Sequence, residues 1–128
     1  MYSNKIIEIF QNIKNSGMIK SASGVGVAGN PCCGDIIKIF IKVEEDEIVE
    51  AKFKTFGCAP AIVASEIAVN LLKNKTIDEA KQITKQNILD EIGILPPEKI
   101  DCVSLAIKAI SETISDYYKR QEKLARKK

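Results

Sequence analysis

Ile37-Lys38-Ile39-Phe40-Ile41-Lys42-Val43 sets Ile37, Ile39, Ile41 and Val43 in alternation with Lys38, Phe40 and Lys42, the two-residue period of a strand with one buried face. Glu44-Glu45-Asp46-Glu47 follows as a solvated turn. The next run again alternates, with Val49, Ala51, Phe53 and Thr55 on one face and Glu50, Lys52 and Lys54 on the other. Two such runs around a short polar turn predict an antiparallel hairpin with one face against a core. Its far end delivers Phe56-Gly57-Cys58. Pro60 suits the first turn of a helix, where its missing donor costs nothing, and that helix runs through Ala61, Ile62, Val63, Ile67, Ala68, Leu71 and Leu72. Being apolar nearly all round, it is central. A hairpin packed on a buried helix predicts an α+β fold: a small antiparallel sheet packed against several helices.

On the N-terminal side of the hairpin lies Gly29-Asn30-Pro31-Cys32-Cys33-Gly34-Asp35, a turn that gathers two adjacent thiols and a carboxylate. Ser21 to Gly29 is rich in Gly, Ala and Ser and contains Gly24-x-Gly26-x-x-Gly29. As a dinucleotide fingerprint this fails: no convincing strand precedes it, and Pro31 and the Cys pair stand where a helix should begin. The segment is expected to be a flexible or irregular approach to the turn. Farther upstream, Ser3 caps a short amphipathic helix with Ile6, Ile7, Phe10 and Ile13 at helical spacing, and Asn15-Ser16-Gly17 stops it.

On the C-terminal side, Thr76-Ile77-Asp78-Glu79 is a capping box opening a short helix, and Thr84 caps another through Ile88, Leu89 and Ile92 before Gly93. Leu95-Pro96-Pro97 forces an extended break, because a residue before proline is pushed away from the helical region. Pro97 starts the final helix, with Ile100, Val103, Ile107, Ile110 and Ile114 as its apolar stripe. From Lys119 to Lys128 the chain is strongly basic, a pattern expected for a solvated, fraying helix end. No repeat or linker interrupts the 128 residues, and one domain over 1–128 is expected.

Composition narrows the chemistry. A hydrophobic content of 45% with 5% aromatics and no Trp implies a core of Ile, Val, Leu and Ala, and 28% charge provides a polar surface. A net charge of +2 indicates no nucleic-acid partner. The N-terminal residues lack the apolar core of a signal peptide, and the most apolar run, Ala59 to Val69, is broken by Ser65 and Glu66 and is too short to span a bilayer. A cytoplasmic protein without membrane attachment is expected. In that compartment four cysteines favour thiolate chemistry or metal over a disulfide framework. The chain has no histidine, which excludes a Cys-His dyad and every zinc site that uses imidazole.

The thiols form a pattern of their own. Cys33 follows a Pro turn, Cys58 stands at a strand-to-helix junction, and Cys102 falls in the first turns of a helix. Backbone donors and positive helix ends there favour the thiolate that binds metal or attacks sulfur. No C-x-x-C occurs, so neither a zinc ribbon nor a thioredoxin-like pair is indicated. Spacing alone leaves a metal site and a redox centre both open.

Three blocks together carry more: Gly29 to Asp35, then Phe53-Lys54-Thr55-Phe56-Gly57-Cys58, then Leu95-Pro96-Pro97-Glu98-Lys99-Ile100-Asp101-Cys102. In order and separation they resemble the signature blocks of the IscU and NifU-type iron-sulfur cluster scaffold family, with similarity from about Asn30 to Tyr118. The short interval between Cys58 and Cys102 lacks the insertion typical of SufU-type relatives, and the resemblance implies a stand-alone IscU-type scaffold, expected to be without a C-terminal NifU domain. It implies a carrier, with no turnover chemistry, that accepts sulfur from a cysteine desulfurase and iron from a donor, assembles a two-iron two-sulfur (2Fe-2S) cluster and passes it to apo-proteins.

Carried onto this sequence, the family pattern makes Cys33, Cys58 and Cys102 the cluster-building cysteines and Asp35 the aspartate associated with keeping the cluster transferable. The family usually has histidine just before the third cysteine, and here that position is Asp101. A fourth ligand must come from Asp35, Asp101, Cys32 or a partner, and carboxylate oxygen is harder than imidazole for a soft iron-sulfide centre. Cys32 falls at a variable family position and reads as an accessory thiol. Leu95 to Ile100 resembles the segment that a DnaK-like chaperone recognises in some members, although Pro-Pro has its own structural reason to precede a helix. A homo-oligomer is compatible with this reading. The alternative is a zinc-binding structural or regulatory module using Cys33, Cys58, Cys102 and a carboxylate, since a soft thiolate site also accepts zinc.

Overall fold

The computed structural model describes residues 3–30 and 34–126. Helix α1 (Asn4–Gln11) precedes strands β1 (Gly24–Asn30), β2 (Asp35–Glu44) and β3 (Glu47–Phe56). Helices α2 (Ala59–Leu72), α3 (Ile77–Ala80) and α4 (Lys85–Ile92) follow, and a 3-10 turn over Pro97–Lys99 leads into α5 (Ile100–Arg126). The strands form one antiparallel sheet in the order β1-β2-β3. The predicted α+β architecture, a small antiparallel sheet against several helices, is the one observed.

The hairpin forms where the alternation places it. Ile37, Ile39 and Ile41 are fully buried in the core with Ala51, Phe53 and residues of α2 and α5. Each such side chain contributes about 1.5–3 kcal/mol relative to an exposed position. Glu45 and Asp46 close the turn with φ of 53° and 66°, the left-handed pair that matches the twist of a two-residue hairpin. Two face assignments are corrected. Phe40, set with Lys38 and Lys42 on the polar face, is buried, with the Lys38 ammonium 5.3 Å from its ring centroid. The other lies in β3. Lys42 pairs with Glu50 but Val43 pairs with Ile48, so Val49 is left over by a register shift. Ile48 therefore enters the core, while Val49 turns outward and is 43% exposed.

A second correction concerns the glycine-rich approach. It is no irregular segment: Gly24–Asn30 is the edge strand β1, paired with β2 from Gly24 opposite Ile41 to Asn30 opposite Asp35. Glycine is a poor strand former unless another backbone approaches closely, and here α5 does. A Cβ on Gly26 would lie 2.3 Å from the Thr113 nitrogen, and one on Gly24 would lie 2.8 Å from the Thr113 carbonyl oxygen. Asp116 of α5 accepts from the Val25 N–H at 2.8 Å and also pairs with Arg120 at 2.8 Å, which fixes the helix on the strand edge.

Helix α1 starts at the expected cap, with Ser3 Oγ accepting from the Ile6 N–H. Its buried face is Ile6 and Ile9; Ile7 and Phe10, expected inside, are exposed, because the short helix lays only one narrow stripe on α2, and it ends at Gln11, ahead of Ile13 and of the expected stop at Asn15-Ser16-Gly17. Beyond it, Asn15 and Gly17 hydrogen-bond to the backbone of Phe53 and cover the outer edge of β3. The apparent breaks in α2 are satisfied: the Glu66 carboxylate accepts from the N–H groups of Lys14 and Asn15, and Ser65 pairs with Thr55. The Thr76 capping box forms as predicted, and Thr84 makes another with Asn87. Pro97 starts the 3-10 turn and α5 itself begins at Ile100, which keeps Cys102 in the first turn of α5. Helix α5 continues through Arg126, where Arg126 pairs with Glu122; Lys127 and Lys128 lie outside the described residues. No helix among the described residues is long and apolar enough to cross a membrane.

Candidate metal centre

Three chain segments end at one place. Asp35 opens β2, Cys58 follows the last residue of β3 by two positions and caps α2, and Cys102 lies near the start of α5. The Thr55 to Ser65 hydrogen bond of 2.7 Å ties the end of β3 to α2 and so fixes the junction that carries Cys58. Asp35 is 5% exposed although it is a carboxylate, Cys102 is likewise buried, and Cys58 is partly exposed.

The side chains converge. Cys58 Sγ lies 3.6 Å and Cys102 Sγ 3.7 Å from the same oxygen, Asp35 Oδ2, and the two sulfurs stand 3.7 Å apart. The other carboxylate oxygen, Oδ1, accepts the Cys58 backbone N–H at 3.2 Å. Cys58 makes no side-chain cap on α2, so its sulfur is free to turn toward the group. Three donors this far apart match one face of a tetrahedron around a metal, whose edge is about 3.8 Å for metal–sulfur bonds of about 2.3 Å. Asp35, Cys58 and Cys102 are the set among the described residues able to hold a metal ion together.

The electrostatics follow from this crowding. Burial pushes the Cys102 thiol up to about 12, and the adjacent Cys58 and the Asp35 charge push in the same direction, while the Lys99 ammonium pulls it partly back. Without metal the pocket therefore holds a neutral Cys102 thiol, which corrects the expectation that the positive end of the helix favours its thiolate: burial outweighs the helix end. A cation entering the site would take the place of that proton, since the thiolate is the ligand.

The structure brings together three of the sequence-predicted site residues and leaves others apart. Asp101 is exposed in the first turn of α5 and lies outside the group. Cys32 and Cys33 lie outside the described residues. Gly57 was not among the predicted site residues, yet its bare Cα faces the Asp35 carboxylate: a Cβ there would lie 2.3 Å from Oδ1. The signal was a glycine directly before a cysteine at the end of a strand.

The family model for the NifU-like N terminal domain matches residues 1–124. The chain belongs to the family of NifU-like N-terminal domains. Among relatives in this family, the iron-sulfur cluster assembly scaffold protein IscU 1 of Archaeoglobus fulgidus is 45% identical, the match covering 97% of this chain and 81% of that protein. The iron-sulfur cluster assembly scaffold protein IscU of Escherichia coli strain K12 is 41% identical over 94% of this chain and 97% of its own length. Similarity to solved structures supports the fold: the N-terminal NifU-like protein of Brucella abortus superposes with a TM-score of 0.67 at 15% identity, over 94% of each chain. A protein described as an iron-sulfur cluster assembly scaffold for the SUF system, from Fervidobacterium islandicum AW-1, gives 0.74 at 22% identity over 88% of this chain and 96% of that one. The membership expected from the three sequence blocks is thereby established.

Proposed function

We propose that this NifU-like N-terminal domain is a scaffold on which an iron-sulfur cluster is assembled and from which it is handed to apo-proteins. The observation that carries the reading is the joint approach of Asp35, Cys58 and Cys102, which gives thiolate-rich coordination of the kind that iron-sulfur clusters take. Relatives at 41–45% identity bear the name of that activity. The cluster is cargo here, and the protein acts as carrier of it, without turnover.

A two-iron cluster takes four protein ligands, two on each iron. Cys33, Cys58 and Cys102 supply three on this reading, and Asp35 supplies the fourth, its Oδ2 already equidistant from two sulfurs. Asp101 is the weaker candidate for that position because its side chain is exposed and outside the group. A carboxylate oxygen holds a soft iron-sulfide centre less firmly than thiolate or imidazole, so the corner at Asp35 is the one that opens on transfer. Cys32 serves as an accessory thiol.

Sulfur comes from a cysteine desulfurase, apo iron-sulfur proteins receive the product, and the setting is cytoplasmic. The surface segment from Leu95 to Ile100, with Pro97 and Glu98 exposed, offers a site for a DnaK-like chaperone. The zinc-module reading draws on the same tetrahedral geometry, but the relatives' names favour the cluster. Anaerobic addition of iron and a sulfide source tests the proposal: a coloured protein with iron and sulfide in equal amounts is expected, and a colourless protein that retains neither would refute it.

A further inference from the structure

Gly57 directly precedes Cys58 and has no side chain to offer a metal, and that lack of a side chain shapes the pocket. A Cβ at this position would lie 2.3 Å from Asp35 Oδ1, 2.8 Å from Asp35 Cγ and 3.2 Å from Asp35 Cβ. The first two separations are shorter than any real contact, so Asp35 could not keep its place beside an alanine. Backbone conformation gives no separate reason for glycine here: the described glycines with positive φ are Gly17, Gly34 and Gly93. An L-residue can therefore adopt the Gly57 backbone. The obstacle is Asp35, chiefly its carboxylate with its Cβ also tight at 3.2 Å, and a carboxylate at the end of a rotatable side chain yields by swinging away more readily than the strand yields by unfolding.

We infer that Gly57 is a positioning residue: its bare Cα lets the Asp35 carboxylate lie flat against the strand-to-helix junction, with Oδ1 on the Cys58 N–H and Oδ2 on both sulfurs. Through Asp35, Gly57 governs how readily the site releases what it holds. That consequence for release rests on the scaffold reading; the geometric half does not.

The test compares Gly57→Ala, Asp35→Ala and the double variant, all on the full chain. In the metal-free protein, hydrogen exchange at the Cys58 amide reads the Asp35 hydrogen bond directly. Gly57→Ala is expected to speed that exchange about ten-fold, as Asp35→Ala does, with no further change in the double variant and unchanged protection in β2 and α2. In the cluster-loaded protein, Gly57→Ala is expected to change the rate of transfer to an apo-ferredoxin in the same direction and by the same factor as Asp35→Ala, again without addition in the double variant. Retained Cys58 protection in Gly57→Ala, or equal and additive effects in the two backgrounds, would overturn the inference. If the wild-type protein assembled no cluster, the scaffold reading would fall while the amide measurement still decided the role of Gly57.

Discussion

Cys58 Sγ and Cys102 Sγ, 44 positions apart in the chain, stand 3.7 Å from each other, with Asp35 Oδ2 within 3.7 Å of each. Nothing local holds them there. Cys58 is placed by the meeting of β3 and α2, and Cys102 by the 3-10 turn that aims α5 back across the sheet. The fold as a whole is the device that makes one site from distant thiols.

Replacing either thiol should remove the site and leave the fold. Cys58→Ser and Cys102→Ser are each expected to weaken cobalt(II) binding by more than about 100-fold, beyond the roughly 10–100-fold typical of groups that only orient ligands. Asp101→Ala, at an exposed position outside the group, should change it by no more than about twofold. Titration followed by the thiolate-to-metal absorption measures all three. An Asp101→Ala loss matching that of Cys102→Ser would move the fourth ligand from Asp35 to Asp101.

The raised Cys102 thiol has a defined effect on stability. Its folded-state value of about 12 lies above the ordinary 9.0, so the folded protein holds a proton that the unfolded chain has lost. The contribution is whole below about pH 9 and is lost as the pH rises toward about 12. Urea unfolding of the metal-free protein should show a midpoint that falls across this window, and Cys102→Ala should flatten that part of the curve. Asp35→Asn, by removing a neighbouring negative charge, should lower the Cys102 value, which thiolate absorbance can follow. A slope unchanged in Cys102→Ala would contradict the assignment.

The packing of α5 on β1 depends on a missing side chain. Gly26→Ala puts a Cβ 2.3 Å from backbone that cannot rotate aside, and a loss of about 1–3 kcal/mol is expected from such overpacking. Gly29→Ala meets its nearest neighbours at 3.8 Å and should stay within about 0.5 kcal/mol of wild type. Chemical denaturation of the pair checks the contrast.

Much of this was legible in the chain. Alternation in Ile37 to Val43 gave β2 its core face, Ser3, Thr76 and Thr84 announced their caps, and the three cysteine-bearing blocks pointed to the family and contain the Asp35, Cys58 and Cys102 that converge in the structure. The misreadings share a cause, which is that tertiary contact overrode a local pattern. Gly24 and Gly26 of β1 looked irregular because their lack of side chains admits α5, a partner about 90 residues away. Val49 and Ile48 exchanged faces because a register shift interrupts the two-residue period, and periodicity alone does not reveal where a shift falls. Asp35 could be picked out as a site residue from its motif, but its grip on the Cys58 N–H and its dependence on Gly57 exist only once β2 and β3 lie side by side.

Cluster transfer tests the central claim most directly. The protein, loaded anaerobically with iron and sulfide, is mixed with an apo-ferredoxin in the presence of a chelator that captures free iron, and the ferredoxin spectrum is followed with time. The account predicts that the ferredoxin acquires its cluster from the loaded protein and fails to do so from equal amounts of free iron and sulfide. A colourless protein that retains one zinc ion and delivers no cluster would contradict it.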